Sequence, residues 1–552
     1  MKILDTDVLI IGAGAAGLRS AQYASKTGCK VLIVTPTLFS MGGTTNADVA
    51  EMAGFNSATP GNDVEIEKHY QDMVAAGQDV LDPSLAEIIA VNAPKVLMEL
   101  CDLGVSFERN DDGSLYRFQS CFSSYPRTQV IKGHGHQIAS IIRNNLAKMS
   151  NVTTFQKMTI ISLIVTNGEC FGAFGVSEGV FYRINAKSTI IASGGAGASF
   201  ERCFCPKDVC GSGYELAYEA GAVLENLEFM QMGIGFSYPV VNIFNSYIWE
   251  ALPILSDVNG EGIFSSVLPE GKSYNDVAED HKWHYPFSTS DGSKYLEIAI
   301  SKTISDGKGT KNRGIKADLR HLTDDYIHTL SNDCGLYHMW PIARDFMKSK
   351  GVDLLNTPVE LSVFQHAMNG GIKIDRNAQS TIPGLFAVGE CAGGPHGADR
   401  LGGNMFVTCM VYGEIAGKKA AERAKDISGY PDISAESVVS FDQKKSLLYK
   451  NFDTKSAISG IKKCSQDYLL VMRYEEGLDK AIKYNQSVQA EIKESHTGDS
   501  INEDNYRAYS MAKSMELLAA SAKERKESRG SHHRWDYPDK NSSFNGIIEI
   551  KK

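Results

Sequence analysis

Residues 7–34 carry a strand, a glycine-rich turn, a helix and a second strand in succession, and they read DVLIIGAGAAGLRSAQYASKTGCKVLIV. The apolar run 7–11 predicts a buried strand, amphipathic spacing predicts a helix to about Thr27, and Lys30–Val34 predicts a second strand. The turn Gly12-Ala13-Gly14-Ala15-Ala16-Gly17 has Gly-x-Gly-x-x-Gly spacing. In this strand–helix context, the spacing predicts that the helix N-terminus faces the phosphates of a bound dinucleotide.

Each glycine of this turn has its own physical role. Gly12 permits the tight turn, Gly14 lets the backbone approach a pyrophosphate, and Gly17 lets the helix and strand pack closely. The second predicted strand is followed by Thr35, where a ribose-binding acid is usual in such motifs. A threonine hydroxyl still bonds a ribose oxygen, so Thr35 stays in the predicted binding set.

A second glycine-rich block, far along the chain, makes the pattern more specific. It reads IPGLFAVGEC from Ile382 to Cys391 and HGADRLGGN from His396 to Asn404. These runs resemble the GLFAVGEC and HGANRLGGN signature of the fumarate reductase and succinate dehydrogenase flavoproteins, with Asp399 in the usual Asn place. Further runs resemble the same family in the same order, and they are Thr189–Gly197, Ala220–Phe229 and Glu527–Pro538. The resemblance therefore spans nearly the whole chain.

The resemblance implies an α/β fold, in which a Rossmann-like FAD-binding domain carries an inserted α+β capping domain and a C-terminal helical domain. Residues from about 234 to 350 hold most of the tryptophans and many turns, and the chain reads as helical after Gly429-Tyr430-Pro431. Residues 153–192 predict a small antiparallel meander. The expected boundaries are 1–233 and 351–428 for the FAD-binding domain, 234–350 for the capping domain and 429–552 for the C-terminal domain.

FAD is the cofactor that the resemblance implies, and we expect it to be bound non-covalently. Members with covalent FAD attach it to a histidine just after the second strand, and residues 37–43 (TLFSMGG) contain none. The family places Glu390 near the FAD ribose, the loop 402–404 near the isoalloxazine, and an FAD-facing aspartate where Ser212 stands. The predicted FAD contacts are Gly12, Ala13, Gly14, Ala16, Gly17, Thr35, Gly42, Gly43, Thr44, Ala192, Gly194, Ser212, Glu390, Asn404 and Met405.

Two residues are predicted to bind a substrate. Reduction of a carbon–carbon double bond on a flavin needs cations for the substrate carboxylate, a hydride from flavin N5 and an acid for the other carbon. Arg400 matches the family arginine that forks onto a substrate carboxylate. His366, in QHAMNGG, resembles the substrate histidine of the family's HYTMGG run. The sequence therefore predicts Arg400 and His366 as catalytic residues.

Other residues of the family's active site are missing. The family's QFHPTG reads QMGIG at 231–235, so its histidine is absent and Met232 stands nearest, and its TE pair reads Trp249-Glu250. Counting back from the GKG run at 307–309 puts Ser293 in place of the proton-donating arginine. Lys294 and Tyr295 are the strong proton donors next to it. We expect the proton to come from one of these two residues.

The retained FAD scaffold and the changed pocket favour an enzyme that reduces or forms a C=C bond next to a carboxylate. One carboxylate anchor and an apolar wall of Met232 and Trp249 favour an unsaturated monocarboxylate, aromatic or acyl-chained, over fumarate or succinate. Three other functions stay open: an oxidase resembling L-aspartate oxidase, sulfur chemistry resembling adenylylsulfate reductase, and an electron-transfer flavin subunit. Retention of His366 and Arg400 argues against the last. By analogy with the family, an iron–sulfur electron-transfer subunit is an expected partner.

Composition and charge argue against several other classes. The formal charge of −10 and the lack of a Lys/Arg block argue against a nucleic-acid surface. No run of about 20 apolar residues predicts a membrane span. Eleven cysteines, an odd number, favour reduced thiols in a cytoplasm over a disulfide framework. Cys203, Cys205 and Cys210 lie close together in sequence but lack a fourth ligand, so no metal site is expected.

Overall fold

The computed structural model describes residues 1–47, 50, 53–331 and 334–552. Strands and helices alternate along the first part of the chain. In order they are β1 (Lys2–Ile11), α1 (Ala15–Ser25), β2 (Val31–Thr35), β3 (Ala53–Asn56), α2 (Asp63–Gly77), α3 (Pro83–Asp102), β4 (Arg117–Phe118), β5 (Thr128–Ile131), α4 (His134–Leu146), β6 (Val152–Gln156), β7 (Thr159–Thr166), β8 (Glu169–Ser177), β9 (Val180–Ile191), α5 (Ser212–Glu219), β10 (Leu224–Glu225) and β11 (Met230–Tyr238).

The rest of the chain first combines short strands with helices and then becomes helical. In order the elements are β12 (Asn242–Ile243), β13 (Ile254–Ser256), α6 (Tyr274–His281), α7 (Tyr295–Ser305), β14 (Ile315–Asp318), α8 (Asp324–His328), α9 (Gly335–Ser349), β15 (Val359–Met368), β16 (Gly371–Ile372), β17 (Leu385–Ala387), α10 (Asn404–Asp426), α11 (Ala435–Leu448), α12 (Thr454–Tyr468), α13 (Glu475–Glu494), α14 (Glu503–Glu524) and β18 (Glu549–Ile550). The domain boundaries expected from the sequence remain predictions.

The main sheet has the strand order β6-β2-β1-β9-β8-β7, and β17 also pairs with β9. The strands β6, β2, β1, β9 and β17 run parallel, whereas β7, β8 and β9 form an antiparallel meander. Both meander turns, Asn167-Gly168 and Glu178-Gly179, have positive φ at both residues, as two-residue hairpins require. Val8–Ile11 of β1 is buried, because a central parallel strand is covered on both faces.

The glycines of the predicted strand–helix turn allow very close packing. Gly12 has φ +118°, and a Cβ there would lie 2.2 Å from the carbonyl oxygen of Ala192, which follows β9. A Cβ on Gly17 would lie 2.2 Å from the carbonyl oxygen of Gly12. Glycine therefore lets β1, the start of α1 and the segment after β9 approach one another.

A second sheet is antiparallel and has the strand order β12-β11-β15-β14-β13. In its central pairing, Gln231 of β11 opposes Ala367 of β15, and Met232 opposes Gln365. His366 is therefore the extra residue of a β-bulge. A bulge interrupts the in–out alternation of a strand and re-aims a side chain, often beside an active site.

The C-terminal part returns to the core through buried ion pairs. Arg525 donates to Glu228 and to Glu527, and all three side chains are fully buried. Removing one partner would leave a buried charge uncompensated, so this network ties the segment after α14 to the segment before β11.

None of the described helices is long and apolar enough to cross a membrane. The eleven cysteines are all free thiols. Across residues 1–47, 50, 53–331 and 334–552, no group of three or more His, Cys, Asp or Glu side chains could hold a metal ion.

Candidate active site

A cavity of about 2050 Å³ lies at the carboxyl ends of the parallel strands β1 and β2, where open α/β sheets bind ligands. Its wall also includes the first turn of α1, His366 from the bulge of β15, and residues of α9 and α14. Pockets for single small ligands are usually about 300–1,000 Å³. The cavity therefore has room for a dinucleotide and a second, smaller molecule.

Most of the predicted FAD contacts lie on the wall of this cavity. They are Gly12, Ala13, Gly14, Ala16, Thr35, Gly42, Gly43, Thr44, Ala192, Gly194, Ser212, Glu390 and Met405. Gly17 is not on the wall, because it packs against Gly12 inside the strand–helix crossing. Asn404 is also off the wall, since its buried side chain contacts His69 Nε2 at 3.0 Å. These two residues support the site without lining it.

The backbone of this half of the cavity fits a dinucleotide such as FAD. The helix α1 begins after Gly14, which supplies no side-chain cap. The Ala15 N–H donates to Thr45 Oγ1 at 3.0 Å, and the positive end of the helix faces the cavity, where a pyrophosphate would bind. A Cβ on Gly42 would lie 2.1 Å from the Thr37 hydroxyl, so glycine lets this loop pack closely. Together the segments 12–16 and 42–44 form a glycine-rich cradle on the cavity wall.

Glu390 is held at the inner end of this cradle. Its Oε1 accepts the N–H of Met368 at 3.0 Å, and a Cβ on Gly195 would lie 2.5 Å from the same oxygen. Burial raises the pKa of Glu390, while the Met368 N–H and the charge of Arg400 oppose the rise. Glu390 therefore links the cofactor half to the residues predicted to bind a substrate.

Arg400 is a buried cation on the cavity wall. Its side chain is 7% exposed, and Nη1 donates to the Leu401 carbonyl oxygen at 2.9 Å. Within the described part of the chain, no carboxylate forms a salt bridge with Arg400, and its Nε has no hydrogen-bond partner. Burial lowers the pKa of Arg400, although a guanidinium stays charged at neutral pH. An anion entering the cavity would find a fork of donors there.

His366 lies on the wall beside Arg400, and its imidazole is neutral. Burial, and then the charge of Arg400, lower the pKa of His366 to about 3. Among the described residues nothing hydrogen-bonds its Nδ1. The ring is flanked by Tyr285, with centroids 5.5 Å apart, and by Phe204 at 6.1 Å. A neutral imidazole in this position can donate one hydrogen bond into the cavity.

Lys294 and Tyr295 do not line the cavity, so their position does not support the expected role as proton donors. Ser293, which the sequence predicts at the family arginine's place, is buried, and its Oγ lies 3.3 Å from His284 Nε2. His284, from the preceding loop, does line the cavity.

Both ring nitrogens of His284 face acceptors of the protein. Nδ1 faces the Pro286 carbonyl oxygen at 2.7 Å, and Nε2 faces Asp291 Oδ2 at 2.9 Å. Burial disfavours the charged ring, but Asp291 outweighs it and raises the pKa of His284. Burial also opposes ionisation of Asp291, yet the His284 hydrogen bond lowers the pKa of Asp291 to about 2. Both N–H groups of His284 are therefore engaged by the protein.

The apolar wall expected from Met232 and Trp249 is not at the cavity. Both side chains are fully buried away from the lining. Gly233 instead leaves space for Tyr285, because a Cβ on Gly233 would lie 2.6 Å from the Tyr285 ring. Tyr285 is 6% exposed and lines the cavity. Glu250 also lines the cavity, where it accepts the N–H of Leu336 at 2.8 Å.

Among the lining residues missed from the sequence are Cys121, His284 and Tyr285. The Tyr285 N–H donates to Cys121 Sγ at 3.1 Å, and burial raises the pKa of Cys121. The available signal for Tyr285 was Gly233, because a glycine inside a strand indicates that another group approaches it closely. It does not indicate which group.

The parallel sheet, the glycine cradle and the cavity together define a flavoprotein oxidoreductase. Comparison with known families agrees, since the family described as FAD binding domain matches residues 7–406. The family described as Fumarate reductase flavoprotein C-term matches residues 459–544. The chain therefore belongs to the fumarate reductase/succinate dehydrogenase flavoprotein family, and it is an FAD-dependent oxidoreductase.

Curated relatives match along almost the whole chain. An uncharacterised FAD-dependent oxidoreductase of Methanocaldococcus jannaschii is 31% identical over 558 residues, covering 99% of this chain and 96% of the relative. One subunit of the fumarate reductase (CoM/CoB) of Methanothermobacter marburgensis is 28% identical, covering 100% and 98%. The L-aspartate oxidase of Vibrio cholerae is 25% identical, covering 97% and 96%.

Solved structures share the fold. The Sdh1 complex of Mycobacterium smegmatis contains a chain with a TM-score of 0.82 and 24% identity, covering 100% of this chain and 94% of its own. The adenylylsulfate reductase of Archaeoglobus fulgidus has a TM-score of 0.72 and 18% identity, covering 99% and 94%. These identities establish a common architecture, which hosts different substrates in different members.

Proposed function

We propose that this flavoprotein reduces, or in the reverse direction forms, a carbon–carbon double bond next to a single carboxylate. Arg400 is the observation that carries the proposal. It is a buried cation on the cavity wall, with no carboxylate partner among the described residues. Glu390 is near enough for its charge to act on Arg400, but the two form no salt bridge. A substrate carboxylate would pair with the guanidinium directly and would be oriented by its fork of donors.

The residues around Arg400 have separable roles in this reaction. Bound FAD supplies hydride transfer at N5. Arg400 binds the carboxylate, and neutral His366 donates a hydrogen bond to the charge that develops on it. The proton for the other carbon comes from a group on the same wall, and Cys121, which lines it, is the candidate acid, because the Tyr285 hydroxyl oxygen is closed off from the cavity. Because burial raises the pKa of Cys121, its thiol keeps its proton at neutral pH.

A second carboxylate would meet cations that the protein already engages. His284 is hydrogen-bonded to Asp291, and Lys282 forms an ion pair with Glu279 at 2.6 Å. Arg109, also on the wall, donates to the Gly113 carbonyl oxygen. One carboxylate of fumarate would therefore compete with these existing partners for its cation. We expect fumarate to be a poor substrate.

The test is anaerobic reoxidation of the photoreduced protein by a defined panel of acceptors. Crotonate, trans-cinnamate and fumarate test the alkene reaction, adenylylsulfate tests the sulfur reaction, and oxygen tests the oxidase reaction. We expect crotonate or cinnamate to reoxidise the flavin at least tenfold faster than fumarate. Reoxidation by adenylylsulfate alone, by oxygen alone, or fastest by fumarate would contradict the proposal.

The proposal also needs a separate electron donor. Named relatives include flavoprotein subunits of fumarate reductase and succinate dehydrogenase, which favours an iron–sulfur subunit as the partner of this chain. Co-purification of the tagged chain from its native source, followed by iron and sulfide analysis, tests this. A flavoprotein that purifies alone and is reduced directly by a nicotinamide would contradict it.

A further inference from the structure

We infer that the substrate carries a planar aromatic group at the end away from its carboxylate, so that the cavity takes an arylacrylate-type acid. This inference rests on the proposed function, because it takes Arg400 as the carboxylate anchor. It goes further by assigning the chemistry of the opposite end. The assignment comes from the side chains that line the cavity beyond Arg400.

Two segments that line the inner cavity, 118–123 and 282–286, are held against each other by rings and a hydrogen bond. Phe122 stacks on His284 with centroids 4.9 Å apart and an interplanar angle of 25°. One residue away on each segment, the Tyr285 N–H donates to Cys121 Sγ at 3.1 Å. The wall next to Arg400 is therefore built from flat side chains in a fixed arrangement.

Tyr285 extends this wall to His366. The two rings are 5.5 Å apart at 80°, and Phe204 meets the other side of His366 at 6.1 Å and 74°. Edge-to-face arrangements of this kind are the preferred geometry of aromatic pairs. A flat group lying between Arg400 and Tyr285 would meet ring edges and faces, whereas a flexible acyl chain would gain no such directional contact.

The aromatic lining continues to the mouth of the cavity. Trp283 is 66% exposed and Tyr116 is 41% exposed, and both line the cavity together with Phe118. Large rings exposed on the wall of a ligand cavity are available to an apolar part of the ligand.

The charged residues on this part of the cavity wall disfavour a second acidic group on the substrate. They are compatible with a flat apolar group at that end. Asp291 Oδ2 lies 2.9 Å from His284 Nε2, and Glu279 forms an ion pair with Lys282. Glu250 adds a carboxylate to the same wall, where it is held by Leu336 N–H. A second carboxylate on the substrate would be repelled there, because like charges in a partly enclosed site are destabilising.

The experiment measures binding to the oxidised holoenzyme by calorimetry, with trans-cinnamate, crotonate and fumarate as probes. We expect cinnamate to bind about tenfold to a hundredfold more tightly than crotonate, because its phenyl ring buries more apolar area against rings. Fumarate should bind more weakly than crotonate. The variant Tyr285→Leu should weaken cinnamate about threefold to tenfold and crotonate less than twofold. Phe346→Leu, on α9 and off the cavity wall, is the matched control and should change neither.

Binding and turnover separate the two proposals. If cinnamate binds as expected but no alkene reoxidises the reduced flavin, the aromatic site is supported and the proposed function is contradicted. If crotonate reoxidises the flavin but cinnamate binds no more tightly than crotonate, the function stands and the aromatic inference is wrong. Failure of all three acids to bind, or tightest binding by fumarate, also overturns the inference. If the Tyr285→Leu protein does not retain FAD, the Tyr285→Phe protein is measured instead. It keeps the ring, so it should still bind cinnamate more tightly than crotonate.

Discussion

Gly233 and Tyr285 share one volume: a Cβ on Gly233 would lie 2.6 Å from Cζ of Tyr285 and 2.8 Å from its hydroxyl oxygen. The strand β11 therefore has to carry a glycine at this point if the tyrosine ring is to reach the cavity. The pair brings an aromatic ring to the cavity wall next to His366.

Gly233→Ala should destabilise the protein by about 1–3 kcal/mol, the usual cost of overpacking a filled site. Thermal unfolding of the holoenzyme measures it. Gly262→Ala is the control, because a Cβ there meets nothing within 4 Å. In a double-mutant cycle with Tyr285→Ala, the Gly233→Ala cost should largely vanish. Additive costs would show that the two residues do not compete for space.

Arg400→Ala should weaken binding of an unsaturated monocarboxylate by roughly 2–5 kcal/mol, because it removes the buried partner of the carboxylate. The Arg400→Lys protein should bind the acid with an affinity between those of the unmodified protein and the Arg400→Ala protein, since a lysine keeps the charge and loses the fork of donors. Calorimetry with crotonate measures the change, and FAD content should stay near that of the unmodified protein. Arg109→Ala, at a wall position where the guanidinium bonds Gly113, should have little effect. If Arg109→Ala weakens binding as much as Arg400→Ala does, Arg400 is not the specific anchor of the carboxylate.

Lys294→Met and Tyr295→Phe should each leave flavin reoxidation by substrate at the unmodified rate, because neither residue lines the cavity. A large rate loss in the Lys294→Met or the Tyr295→Phe protein would restore that residue as a proton donor.

Asp291→Asn should lower the pKa of His284, since it removes the carboxylate that favours the imidazolium. Proton NMR of the histidine ring measures that pKa.

Asp399 should make the protein less stable as pH rises towards neutrality. Burial raises its pKa to about 7, against opposing contributions from Ser288, His284 and Gln78. An unfolded aspartate has a pKa of about 3.9, so between these values the folded state binds the extra proton and stability falls with increasing pH. Asp399→Asn should therefore raise the melting temperature at pH 8 more than at pH 4.5. An equal change at both pH values would contradict the raised pKa.

FAD should be released intact when the protein is precipitated with acid. Residues 37–43, which follow β2, contain no histidine to form a covalent bond. Yellow colour in the supernatant, identified as FAD by chromatography, checks this. Flavin that stays with the precipitate after washing would show a covalent link elsewhere on the chain.

The turn Gly12–Gly17 and the two hairpin turns at Asn167-Gly168 and Glu178-Gly179 were readable from the sequence because their physics is local. Each needs positive φ or close backbone approach, and only a few residue types allow it. The same holds for the strand that precedes the first turn, whose apolar run requires two covered faces. The FAD-binding half of the cavity follows from these local features.

Arg400 and His366 were identified by motif, but their partners were not. His366 reaches the cavity because a bulge removes it from the register of β15, and the bulge exists only in the pairing with β11. Register between two strands more than a hundred residues apart depends on the packing of both, and no local pattern specifies it.

The sequence by itself determined the nucleotide-binding turn and the parallel core around it, because glycine spacing and apolar periodicity act through the local backbone. The family followed from the resemblance of its longer motifs, from Ile382 to Asn404 above all. The tertiary structure decided the substrate end of the cavity. There, Tyr285 enters the space above Gly233, and His284 is hydrogen-bonded to Asp291, while Lys294 and Tyr295 lie off the wall. These features depend on which side chain fills the space at Gly233 and which acceptor bonds His284. The residues involved are distant in sequence, so only the packed tertiary structure brings them together.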